Sequence, residues 1–244
     1  MQIEHRKLAS SHLNNEIPFN VYGHWGFPVL MLAPCNANEF VFEEEGMIDS
    51  VEHLLNDGLM KIFTFPSLDS ESLKSKVYSN NVKIHNYSLY LRFIKEEVIP
   101  MLQRECNVHR IGICGIGIGA FHATNITFKN PDFIRFLISI SGTFDLKSQF
   151  KSDLSISLEE FNPVTYLQHH DSWIYNHLEM VFSTSDWDIC RRDNEDFSEL
   201  LHSKGIKHWL DEVKGVPRGW NLWNQVFPMY IHNLISLTTE PKVS

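Results

Sequence analysis

Four cysteines in 244 residues, Cys35, Cys106, Cys114 and Cys190, are too few and too scattered for a disulfide framework. None of them has the paired spacing of a zinc site, and the pattern favours reduced thiols in a cytosol. Lys and Arg number 21 against 30 Asp and Glu, which gives a net charge of -9. No basic run or stripe breaks that acidic balance, so nucleic acid is not an expected partner, since phosphate contacts need clustered Lys and Arg. Also absent is an apolar run approaching the roughly 18 residues of a membrane helix. The first ten residues, MQIEHRKLAS, hold no apolar core of a signal peptide. The expectation is a cytoplasmic protein that does not engage a membrane. Internal repeats, linkers and low-complexity tracts are missing too, and a single domain over 1–244 is expected, with a frayed tail over 238–244.

What the chain does have is a 43% hydrophobic composition with 17 Phe and 6 Trp, enough to bury a thick core. Short β-rich runs alternate with longer helical stretches, which predicts an α/β fold with a mostly parallel sheet covered on both faces. The runs that read as strands are 18–22, 28–32, 61–66, 110–114, 136–141, 180–185 and 208–213. Helical periodicity runs over 44–56, 88–106, 197–203 and 223–237, and Pro100 predicts a kink near Val98. Segments 67–81 and 146–170 are polar and weakly periodic, as loops over the C-terminal ends of strands often are.

The segment 110–123, RIGICGIGIGAFHA, carries the most information. A strand runs into a glycine-rich turn and then into a helix. Here the chain resembles the esterase-D-like group of α/β-hydrolases, in which a G-x-S-x-G turn occupies this place. The resemblance extends to Tyr22–Gly26, Phe42–Asp49, Asp69–Ser72, Glu96–Pro100, Ser185–Cys190 and Lys204–Asp211. It implies an α/β-hydrolase fold and a serine, acid and histidine triad. The serine position holds Gly117, which keeps the strained turn and deletes the hydroxyl. The acid position falls on Asp188. The histidine should lie in the loop 214–223, KGVPRGWNLW, which contains none, and the placement puts Arg218 there. The resemblance also puts Cys35, Asn36 and Ile118 around the oxyanion position.

Loss of a triad serine alone costs about a million-fold in turnover, and arginine stays protonated and cannot act as a base. The implied protein is an esterase-like homologue with no intact catalytic residues: a pseudoenzyme that binds a small anionic ligand or a protein partner, with homo-oligomerisation open. Two alternatives stand beside it. One is a residual carboxylic-ester hydrolase or acyl-transfer enzyme with a non-standard nucleophile, for which Cys35 is the candidate, since Cys114 reads as a buried hydrophobe. The other is an oligomeric scaffold subunit.

Several further features read as structural. Residues 115–120 also match a dinucleotide fingerprint, but in mid-chain and with no acid ending the next strand, so no cofactor is expected. The acidic stretch Asp186, Asp188, Asp193 and Asp196 lacks the pattern of a calcium loop. No metal is expected, and Asp193 or Asn194 reads as a helix cap. His122 reads as a hydrogen-bonded core residue, the pair His169 and His170 carries no role, and Trp220 and Trp223 read as core closure.

Overall fold

A computed structural model describes residues 1–146, 150 and 159–239. It contains one eight-stranded sheet in the order β1-β2-β4-β3-β5-β6-β7-β8. The strands are β1 (Ile3–Ser10), β2 (Asn15–Tyr22), β3 (Phe27–Leu32), β4 (Met60–Phe65), β5 (Ile111–Ile116), β6 (Ile134–Ile140), β7 (Glu179–Trp187) and β8 (Trp209–Pro217). β2 pairs antiparallel with β1 and β4, and the strands from β4 to β8 run parallel. This is the α/β-hydrolase arrangement that the sequence predicts.

The helices are α1 (Val41–Glu44), α2 (Glu52–Asn56), α3 (Asn80–Phe93), α4 (Ile99–Cys106), α5 (Ile118–Lys129), α6 (Pro163–Tyr166), α7 (Arg191–Ser203) and α8 (Trp220–Thr239). They cover both faces, which is why β4 and β5 are buried along their whole length. Alternate residues of β5 serve the two cores. Ile111 and Ile113 pack with Phe93, Leu102, Phe121 and Phe197 on one face. Cys114 and Ile116 pack with Leu54, Phe227, Tyr230 and Ile231 on the other.

Several boundaries differ from the sequence reading. The predicted strands are present but mostly longer, and β1 is an additional strand. Its exposed and half-buried residues alternate along an edge, so polar side chains mask the strand signal. The helix expected over 44–56 is broken, because Gly46 takes φ +78° and splits it into α1, a 3-10 turn at Asp49–Val51, and α2. The helix expected from Ser88 begins at Asn80 and continues through Cys106, with a π turn at Ile94–Val98 just before Pro100. Proline lacks the N–H of an ordinary helical turn, and widening the preceding turn lets the chain continue instead of breaking. Segment 67–79 is a loop with a 3-10 turn at Asp69–Glu71. Much of the second predicted excursion, 147–149 and 151–158, lies outside the described residues, as does most of the predicted frayed tail, although Thr238 and Thr239 belong to α8.

β3 has β4 on one side and β5 on the other, so the connections leaving β3 and β5 diverge. That opening at the C-terminal strand ends is the usual ligand position in such sheets. The turn after β5 lies there.

Candidate functional site

The three glycines of the turn do different work. A Cβ on Gly115 would stand 2.1 Å from the carbonyl oxygen of Gly119, and one on Gly119 would stand 2.1 Å from that of Leu32. Both positions therefore let α5 approach the sheet closely. Gly117 takes φ +61°, ψ −117°, a conformation costly for any residue with a Cβ. Immediately after it Ile118 begins α5, a buried twelve-residue helix; the Ala120 N–H bonds the Gly117 carbonyl at 3.2 Å, and the first N–H groups of a helix otherwise lack partners within it.

Arg218 stands over this turn. Its Nη2 lies 3.1 Å from the place where a Cβ on Gly117 would be, and Pro34 Cβ lies 3.9 Å from the same point. Arg218 Nη1 donates to Cys190 Sγ at 2.9 Å and lies 3.7 Å from Asp188 Oδ1. The Asp188 side chain is fully buried while that of Arg218 is partly exposed. Asp188 Oδ1 accepts the Cys190 N–H at 2.8 Å, and its Oδ2 is buried with no hydrogen-bond partner among the described residues. Gly117, Asp188 and Arg218, far apart in sequence, thus meet around the Arg218 guanidinium.

The loop that carries Arg218 is held at both ends. Pro217 pairs with Trp187 at the end of β8. On the other side, Trp223 Nε1 donates to Ser141 Oγ at 3.0 Å, and Trp220 packs edge-on against Phe42 and Trp223. Both tryptophans therefore sit in the packing that they were expected to close.

Cys35 and Asn36 follow β3. Asn36 is exposed with φ +62°, and Cys35 is half-buried. Burial and the nearby Asp69 push the Cys35 thiol above its ordinary value, against a small opposing effect of Lys74. Burial likewise raises the thiol of Cys190, with Arg218 pulling the other way, and raises fully buried Cys114 far more. None of the three is poised as a thiolate. The sequence reading did not single out Cys190. The available signal was its position two residues after Asp188, which puts both in the same turn.

The acidic stretch does not behave as a cap. α7 begins at Arg191 with Cys190 at its N-cap and no side-chain capping bond. Asp193 instead accepts from Thr143, Asn194 Nδ2 donates to the carbonyls of Gly142 and Cys190, and Asp186 accepts the Gly215 N–H. The reason lies in the chain just upstream: Asp188 accepts the Cys190 N–H on its side chain and the Arg191 N–H on its carbonyl, and this turn opens the helix two to three residues before the predicted caps. Among the described residues no cluster of three or more His, Cys, Asp or Glu is placed to hold a metal ion.

Beneath the turn, His122 on α5 belongs to a buried polar chain. Its Nε2 donates to Asp69 Oδ1 at 2.9 Å, and its Nδ1 lies 3.3 Å from the Tyr87 hydroxyl. Ser67 donates to Asp69 Oδ2 at 2.5 Å, Asn125 donates to the Tyr87 oxygen and to Phe161 O, and Tyr166 donates to Asn125. This chain ties the loop after β4, α3, α5 and α6 into one block. His170 makes an unrelated bond with Tyr175.

Solved structures of similar shape include esterases and related serine hydrolases. A ferulic acid esterase superposes with a TM-score of 0.78 at 18% identity, covering 97% of this chain and 98% of that one. An S-formylglutathione hydrolase of Staphylococcus aureus gives 0.77 at 11% identity, with 96% and 100% covered. A fluorophosphonate-binding serine hydrolase of the same organism gives 0.75 at 12%, with 96% and 98% covered. No family model and no curated protein matches the chain. At these identities the likeness establishes the fold: the protein has the α/β-hydrolase architecture of esterases over nearly its full length.

Proposed function

We propose that this is an esterase-like α/β-hydrolase homologue without serine-esterase chemistry at its elbow, which binds a small carboxylate or phosphate there. The reading rests on one observation: the guanidinium of Arg218 stands 3.1 Å from the point where a serine Cβ would project from residue 117. A permanent cation thus occupies the space of the attacking hydroxyl. Gly117, Asp188 and Arg218 stand in this reading for nucleophile, acid and base, with the first and last lost. The N–H groups opening α5, that of Ile118 first, and the loop at Cys35 and Asn36 line the anion. A helix N-terminus and a partly exposed arginine are complementary to such a group. Cys35 as a substitute nucleophile is disfavoured by its raised thiol.

The competing reading is that Arg218 simply closes the site, and its 3.7 Å approach to Asp188 favours that. Calorimetric titration with sodium acetate and with inorganic phosphate separates the two. Heat of binding with either ion, lost in Arg218→Ala, supports the anion site; no heat with either means a plugged turn. A scaffold or homo-oligomeric role would run through the outer surface and leave size-exclusion behaviour unchanged in Arg218→Ala. A cytoplasmic setting agrees with four free thiols. Among the described residues no helix is long and apolar enough to cross a membrane.

A further inference from the structure

Ser198 on α7 and His208, one residue before β8, meet across the turn that joins these elements. Ser198 Oγ lies 2.6 Å from His208 Nε2, and His208 Nδ1 lies 2.9 Å from the carbonyl oxygen of Ile206. A carbonyl oxygen can only accept, so a neutral imidazole in this place carries its proton on Nδ1. That leaves the lone pair on Nε2, and the Ser198 hydroxyl is the donor. Hydroxyl, base and orienting acceptor thus stand in the order that activates a serine. The ring also rests edge-on against Phe182, at 5.9 Å between centroids, which restricts its rotation. Both residues are half-buried. They border an open groove of about 480 Å³ whose other walls include Glu199, His202, Trp209 and Leu210. Trp209 is 44% exposed and offers the groove an apolar surface.

We propose that Ser198 is an acylatable nucleophile with His208 as its general base, and that the groove admits small carboxylic esters with good leaving groups. Ser198 Oγ attacks the ester carbonyl carbon and forms the new C–O bond as its proton passes to His208 Nε2. The bond to the leaving oxygen breaks, and the departing alcohol or phenol takes that proton from the imidazolium. Water repeats the sequence to release the acid. Ser198 lies in the middle of α7, where backbone N–H groups are bonded within the helix. The site therefore lacks a helix N-terminus to stabilise the oxyanion, a contribution worth about 10²–10³ in rate per donor elsewhere. Acylation is accordingly confined to activated esters, and the acyl-serine persists.

The test is p-nitrophenyl acetate with the full chain, read as burst amplitude and by peptide mapping of the acetyl group. The expected result is a burst of about one equivalent of p-nitrophenolate per chain, with the acetyl group on Ser198. Ser198→Ala loses the burst, Ser198→Cys restores acetylation at that position, and His208→Gln slows the burst about a hundred-fold, the scale of general-base assistance. Circular dichroism establishes that each variant is folded. No burst in the parent protein, acetyl groups only at other residues, or an undiminished burst in folded Ser198→Ala would overturn the proposal. The acetate titration at Arg218 reports on the elbow separately, so either reading can fail without the other.

Discussion

The surface of the elbow and the block beneath it handle polar groups in opposite ways. In the buried chain from Ser67 through Asp69, His122, Tyr87 and Asn125 to Tyr166, each successive side chain finds a partner at 2.5–3.3 Å. At the elbow, Asp188 keeps one oxygen without a partner among the described residues, and its ion pair with Arg218 is open to 3.7 Å. Unmatched buried carboxylate is costly, so the lower block carries stability while the upper cluster leaves part of its polar capacity unpaired. The difference teaches that the scaffold for positioning the turn is fully built even though residue 117 presents no hydroxyl.

Substitutions can test that contrast directly. The largest effect is expected for His122→Leu, which strands the buried Asp69 carboxylate. Removing one partner of a buried pair costs about 3–5 kcal/mol, and a fall in Tm of at least about 6 °C is expected for a chain of this size. Calorimetric melting checks it, and a change below about 2 °C would show that the chain is not a strut.

Gly117→Ser comes next. Its Cβ must enter a left-handed conformation and displace the tip of Arg218, at a cost of about 1–3 kcal/mol. Activity assays should find no ester hydrolysis at the elbow in this variant, because no base faces the new hydroxyl. Gly117→Ser combined with Arg218→His should show feeble turnover. Brisk hydrolysis by the single variant would reveal a base at the elbow and sink the anion reading.

The smallest effect is one of slope. Burial alone would raise the Asp69 carboxyl, but pairing with His122 and the hydrogen bonds from His122 and Ser67 outweigh it and hold the group below its usual range. A carboxyl depressed on folding adds stability that is present above its unfolded value, about pH 4, and lost as pH falls through its folded value. Denaturant melts between about pH 5 and about pH 2 should therefore show a shallower loss in Asp69→Asn than in the parent protein. Equal slopes would mean that Asp69 is not depressed.

How far the sequence could be read follows the same division. The β5–turn–α5 unit was legible because three alternating glycines between a β run and a helix have few structural solutions. The contact of Gly117 with Arg218 was legible only through a resemblance, since no local pattern joins residues so far apart. β1 escaped because an exposed edge strand alternates polar residues rather than apolar ones. The bond between His122 and Asp69 escaped because a side-chain contact over 53 positions leaves no periodicity. Ser198 sits on α7 and His208 just before β8, with a turn between them, and neither residue type is unusual where it stands.

The two borders of the sheet bear on self-association. β1 carries Glu4, His5, Arg6 and Lys7, and β8 carries Asp211, Glu212 and Lys214. Charged side chains along an outermost strand discourage a second sheet from docking onto its free backbone groups. Copies of this chain would therefore meet through helices and loops, and a continuous sheet spanning two molecules is not a form this protein should adopt.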